Sequence, residues 1–257
     1  APDSADFARA LARLLDAIGV RRAGFYGFHT GAATAAAFAG LFPERTAALA
    51  LEGLPAWTEA ERTEFLARYL PAVPPAWDGS HMAWLWARME AQTQFFPWYA
   101  SEPSRRMRMA VSSPAHVHAN VMDLLDAGDA HRPVYRAAFT FRAEDWVHRI
   151  RAPALIACVE GDVLTDHLQR PALRERGRTF SSAETFRAAA AALLQAHPGD
   201  RLDAPPGGGC LKLGEERLAW RKWGEGAPRV FIPDAGGTLA DVRDPPPGCV
   251  ALDLPGH

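Results

Sequence analysis

The chain has 257 residues, close to half of them apolar, and a net charge of −2 at pH 7. That length accommodates one large domain or two small ones around a sizeable core, and the mixed, near-neutral charge gives no pull toward nucleic acid or an anionic membrane. Cys158, Cys210 and Cys249 are far apart and form no C-x-x-C pair. Neither a disulfide framework nor a structural zinc site is therefore expected, and reduced thiols fit a cytoplasmic setting. No apolar run approaches the ~20 residues of a membrane span, and no signal peptide is read at the start. The chain opens on Ala1 rather than Met. This reads either as a processed, excised or partial start or as ordinary removal of Met before Ala.

Ser4 to Gly19 is expected to be a helix, with Ser4 as N-cap, Phe7, Leu11, Leu14, Leu15 and Ile18 at helical spacing, and Gly19 as the stop. Arg22 to Tyr26 reads as a short apolar strand, 32–41 as an Ala-rich helix ending before Pro43, and Ala47 to Glu52 as the next buried strand. A strand-helix-strand run of this kind implies a parallel, right-handed sheet unit. From Thr58 to Arg149 the pattern turns helical, rich in Trp, Met, Phe, Arg and His, and is expected to be a cap inserted into the sheet. The sheet resumes at Ala154–Val159, followed by Glu160-Gly161-Asp162, and Ser182 to Ala196 is another helix. Residues 197–210 read as a Pro/Gly linker. Leu211 to Gly224 reads as a hairpin turning at Gly214-Glu215-Glu216, and Arg229–Pro233 and Gly248–Asp253 as further strands.

Between the first strand and the Ala-rich helix stands Gly27-Phe28-His29-Thr30-Gly31. It has the shape of a Gly-x-Ser-x-Gly nucleophile elbow, a sharp strand-to-helix turn, with histidine at the tip. Together with Glu160-Gly161-Asp162 and the final Asp253-Leu-Pro-Gly-His257, it makes the chain resemble the α/β-hydrolase superfamily. The resemblance covers nearly the whole chain, but in rotated order. Residues 1 to about 196 resemble the later two-thirds of the family fold, and 208–257 its first third. The expected fold is α/β, a mostly parallel doubly wound sheet of the α/β-hydrolase type with an inserted helical cap, circularly permuted. Its core would comprise 1–57 and 150–257, its cap 58–149, and 197–210 would link the later and earlier parts. A circular permutant and one period of a tandem array both fit. A linker of this length reaches at most ~43–47 Å, enough to join the two parts in cis.

The resemblance assigns site positions residue by residue. His29 fills the nucleophile slot, where an imidazole serves as general base on water or attacks an acyl group itself. Thr30 supplies an oxyanion donor through its backbone N–H, and Gly236 is the second backbone donor. Asp162 fills the acid slot at a strand end, with Glu52 and Asp234 as alternative acids. The base slot holds no histidine: 178–184 contains none, His167 follows Asp162 too closely, and His197 lies beyond the helix. His81, in Asp78-Gly79-Ser80-His81, is expected to face His29 across the pocket, while His116 and His118 read as solvated. Phe28, Trp84, Phe96 and Trp98 are expected to line an apolar pocket.

These residues point to a hydrolase acting on a small, partly apolar carbonyl compound such as an ester or lactone, through a non-standard His-containing site. The rival readings are a catalytically inactive ligand-binding protein and an assembly module of a tandem hydrolase-like protein. No cofactor and no metal are implied. The expected partner is a small-molecule substrate or ligand, with a homodimer or domain-swapped dimer as the expected assembly.

Overall fold

A computed structural model describes residues 1–108, 110–200, 207–213, 216–226, 229–232, 242, 245 and 248–252, with the backbone alone described for 209–213 and 216–218. Helix α1 (Ser4–Ala17) buries Phe7, Leu11, Leu14 and Leu15. Its N-cap is Asp3 rather than Ser4. The Asp3 carboxylate accepts the Asp6 N–H in a capping box, and the Ser4 hydroxyl is instead spent on the Ala137 carbonyl. Strand β1 (Ala23–Phe28) leads directly into α2 (Thr30–Leu41), an alanine-rich helix buried on nearly all sides. Methyl side chains let α2 lie close to both α1 and the sheet. Strand β2 (Thr46–Glu52) is buried along its whole length, as a central parallel strand should be.

Between β2 and β3 (Ala154–Val159) the described residues form five α-helices: α3 (Glu59–Arg68), α4 (Ser80–Gln92), α5 (Pro114–Ala127), α6 (His131–Thr140) and the short α7 (Ala143–Trp146). Trp57, at the entry to this segment, is its anchor. Its ring packs edge-on to Phe65, Phe139 and His167, and its Nε1–H donates to the Ala138 carbonyl at 2.9 Å. After β3 come β4 (Gly177–Phe180) and α8 (Ala183–Ala196), capped by the Ser182 hydroxyl. The four-residue β4 escaped the sequence reading because Arg178 and Thr179 are exposed and break any apolar run.

The C-terminal part adds β5 (Gly207–Leu213), β6 (Glu216–Trp223), β7 (Arg229–Ile232) and β8 (Cys249–Leu252). The described strands join one eight-stranded sheet in the order β4-β3-β2-β1-β7-β8-β6-β5, parallel from β4 to β8 and antiparallel over the last two pairings. The tail thus builds one half of a sheet whose other half is built by the head, and the halves meet where β1 pairs with β7. The expected linker is shorter than 197–210, because Gly207 to Cys210 already belong to β5. Its first residues are pinned: the Asp200 carboxylate accepts the Arg21 and Arg22 N–H groups at 3.1 Å each, at the foot of β1. Among the described residues, no helix is long and apolar enough to cross a membrane.

Candidate active site

The turn from β1 to α2 is as sharp as the Gly-x-His-x-Gly spacing demands. His29 has φ 44° and ψ −103°, and it is the only non-glycine with positive φ among the described residues. Such a backbone costs about 1–3 kcal/mol and persists only where its surroundings hold it. Two glycines do so. A Cβ on Gly27 would lie 2.5 Å from the Gly31 carbonyl carbon and oxygen, so the two flanks of the turn touch backbone to backbone. Gly53, at φ 63°, leaves the space the imidazole occupies, since a Cβ there would lie 2.2 Å from His29 Cδ2. The His29 N–H donates to the Glu52 carbonyl at 2.9 Å, locking the turn to the end of β2.

This places the His29 ring at the carboxyl ends of the parallel strands, stacked on Phe28, with Nε2 2.9 Å from Asp162 Oδ2. Asp162 follows β3, and its side chain is only 9% exposed. Its other oxygen accepts the Leu164 N–H at 2.7 Å, and its carbonyl accepts Thr165 N–H and Oγ1–H. The carboxylate is therefore aimed by its own loop. Thr30 opens α2, so its backbone N–H lies at the positive end of the helix dipole.

A second carboxyl group stands beside this pair. Glu52 is buried, and the Tyr26 hydroxyl donates to its Oε2 at 2.5 Å. Burial pushes the Glu52 carboxyl above its usual range, against the stabilising Tyr26 hydrogen bond. Burial and the neighbouring Glu52 charge push the Tyr26 phenol upward as well. Cys158, close by on β3, is driven up to about 12 by burial and is a thiol at neutral pH.

Above these groups lies a cavity of about 360 Å³. Its floor includes Phe28, His29, Thr30, Glu52 and Asp162, and its walls come largely from the segment between β2 and β3: Trp57, Tyr69, Gln92, Phe96, Met107, Tyr135 and Phe139. Phe28 and Phe96 line it, as the sequence reading places them. Trp84 and Trp98 do not. Trp98 packs behind Tyr69 and donates its Nε1–H to the Tyr69 carbonyl, and Trp84 stands edge-on against Trp98. Aromatic content marked this segment as core and wall, but not which rings face inward.

His81 is the clearest correction. It does not face His29. It opens α4, its Nδ1 accepts the Ala76 N–H at 3.1 Å, and it lines a different cavity. His167 is also apart: it is buried against Trp57 with Nδ1 accepting the Ala56 N–H at 3.0 Å, and burial pulls its pKa down to about 4. His116 and His118 are exposed, as expected. Asp234 and Gly236 lie outside the described residues. Tyr26 and the aromatic wall of Tyr69, Tyr135 and Phe139 went unnoticed in the sequence. Among the described residues, no cluster of metal-ligating side chains occurs.

No family model matches the chain, and no curated protein matches it. Solved structures do. A crystallised esterase mutant aligns with a TM-score of 0.52 at 16% identity, over 75% of this chain and 66% of the esterase. A hydrolase from Pseudomonas aeruginosa aligns at 0.48 with 21% identity, over 75% of this chain and 71% of that one. Epoxide hydrolase A from Mycobacterium thermoresistibile aligns at 0.49 with 16% identity, over 77% of each chain. The esterase match and the sheet order give the chain the α/β-hydrolase fold. A likeness at this identity speaks to the fold and leaves the reaction to be argued from the site.

Proposed function

We propose that this α/β-hydrolase-fold protein hydrolyses a small, partly apolar carbonyl compound, an ester or lactone, with His29 as base or nucleophile and Asp162 as its orienting acid. The observation that carries the reading is the 2.9 Å His29–Asp162 pair on the floor of an aromatic cavity. With Nε2–H given to the carboxylate, the basic lone pair of the imidazole is on Nδ1. Nδ1 takes a proton from water, and the water oxygen attacks the carbonyl carbon. The resulting oxyanion develops at the start of α2, where the Thr30 N–H and the helix dipole favour negative charge. Collapse breaks the bond to the leaving oxygen, which recovers the proton from Nδ1. Asp162 stays ionised and balances the imidazolium. In the nucleophilic variant, Nδ1 bonds to the acyl carbon first and water cleaves that acyl-imidazole.

The segment 58–149 serves as the cap that excludes water from this step, on cores 1–57 and 150–257. The rotated strand order fits a circular permutation of the family topology: β5, β6, β7 and β8 take the places that open the family sheet, while β1 to β4 continue it. Removing His29 tests the chemistry. The His29→Ala protein should lose about 10²–10⁴-fold in kcat on the ester or lactone that the parent turns over. A parent and a His29→Ala protein equally inert across ester, lactone and thioester panels sink the enzymatic reading.

One observation favours a second reading, a binding protein without turnover. The described cavity wall carries neither a serine, a cysteine nor a second histidine. Under that reading a small apolar ligand raises the melting temperature of parent and His29→Ala alike while neither hydrolyses it.

A further inference from the structure

Helix α4 turns two polar residues toward two different cavities. Gln92 faces the aromatic chamber over His29, while Arg88, one turn earlier, lines a second cavity of about 410 Å³ formed by the 71–75 loop, α4, and the junction of α5 with α6. Arg88 is 5% exposed. Its Nη1 meets only the Met89 sulfur at 3.5 Å, and its Cζ lies 5.3 Å from the centre of the Trp98 ring. Among the described residues no carboxylate pairs with it. Arg62, equally buried, shows the usual arrangement, with Glu59 Oε2 and the Trp57 carbonyl both at 2.7 Å. Beyond the Met89 sulfur and the Trp98 ring, the electrostatic neighbours that favour the Arg88 charge are the Tyr135 and Tyr69 side chains, and a buried guanidinium without a carboxylate partner is costly to hold unless something else brings the charge.

The cavity is furnished for a single anion. Pro71, Val73, Pro75, Leu85, Leu124 and Leu125 make an apolar wall. Two imidazoles complete the polar end. His81 accepts the Ala76 N–H through Nδ1, which puts its own proton on Nε2, and His131 Nδ1–H donates to the Gly128 carbonyl at 2.5 Å. Asp129 also borders the cavity, but its side chain is 81% exposed and lies 3.6 Å from Arg132, so it belongs to the rim.

We propose that this second cavity binds a small amphipathic monocarboxylate, of the medium-chain aliphatic class, with its planar headgroup on the Arg88 guanidinium and its carbon chain along the proline–leucine wall. One buried guanidinium matches one negative charge, and its planar fork matches a carboxylate in two parallel hydrogen bonds. A phosphate dianion would leave a charge uncompensated in an apolar chamber. The site is separate from His29 and holds whether or not the protein turns over an ester.

Sodium octanoate is the probe, and melting temperature the readout. Octanoate should raise the melting temperature of the parent and of His29→Ala saturably, while inorganic phosphate at the same concentration leaves it unchanged. Arg88→Met should abolish the octanoate response and raise the melting temperature of the ligand-free protein, because an uncompensated buried charge is replaced by an apolar chain of similar volume. Arg88→Lys keeps the charge without the fork and should weaken binding about tenfold. Leu125→Trp, which fills the cavity and leaves Arg88 in place, should also abolish the response. The proposal is overturned by a parent that does not respond, by a phosphate response equal to that of octanoate, or by an octanoate response that survives in Arg88→Met or Leu125→Trp.

Discussion

Asp162 and His29, 133 residues apart in sequence, meet at 2.9 Å through Oδ2 and Nε2. The contact works because each partner is held from behind. The Leu164 N–H fixes the carboxylate, and the strained turn between Gly27 and Gly31 fixes the ring.

Replacing Asp162 by Asn reverses the tautomer. The Asn Oδ1 keeps the Leu164 N–H, so its amide N–H₂ faces His29 Nε2 and makes that nitrogen the acceptor. The proton then moves to Nδ1, and the base is lost. Asp162→Asn should lower kcat about 10²–10⁴-fold on the parent's substrate with little change in KM. Steady-state kinetics across pH check this, and a kcat within threefold of the parent would remove Asp162 from the mechanism.

Gly53→Ala acts on the same pair through packing. The added methyl would lie 2.2 Å from His29 Cδ2, on a backbone at φ 63°. We expect a loss of about 1–3 kcal/mol in unfolding free energy together with displacement of the ring from Asp162. Chemical denaturation measures the first and imidazole NMR the second. An unchanged His29 resonance in a destabilised Gly53→Ala protein would mean that the ring is not seated as described.

His167 sets an acid limb in stability. Burial holds its folded pKa at about 4, against about 6.5 in the unfolded chain. Below pH ~6.5 the unfolded chain binds a proton that the folded chain refuses, so stability falls as the pH drops toward 4 and flattens below it. The full loss is about 3 kcal/mol. His167→Asn keeps an acceptor for the Ala56 N–H and carries no proton, so its stability should be flatter over this window. Denaturation midpoints at pH 7, 5.5 and 4 test this, and parallel curves for parent and variant would refute it.

Tyr26→Phe strips Glu52 of its donor. The raised carboxyl pKa of Glu52 means that its ionised form is penalised in the fold, so its contribution to stability declines as pH rises through and above the ordinary carboxylate range. Without Tyr26 the penalty grows. The variant should lose about 1–3 kcal/mol at pH 8 and less at pH 5. A larger loss at pH 5 than at pH 8 would show that Glu52 is ionised and satisfied by other groups.

Much of the fold was legible because the parallel strands are short apolar runs separated by helices of clear period. Ala154–Val159 was bounded to the residue. The tail strands were legible from their pattern, and their place beside β1 from the family resemblance. The site was legible where a backbone requirement leaves a mark in the sequence, as the glycines around His29 do. It was opaque where geometry depends on register or on which face of a helix turns inward. Tyr26 reaches Glu52 across two parallel strands, which no spacing within either strand reveals. His81 sits beside a turn whose composition looks functional, yet its ring folds back onto the Ala76 amide, because an unpaired N–H before a helix attracts the nearest acceptor.

The pairing of β1 with β7 runs from Gly24–Arg229 to Gly27–Ile232, and β1 continues from there into the turn that carries His29. That seam joins two stretches of chain remote in sequence, so the strand that carries the turn is completed only by a contact of long sequence separation. Its last rung, at Gly27, stands two residues before the imidazole.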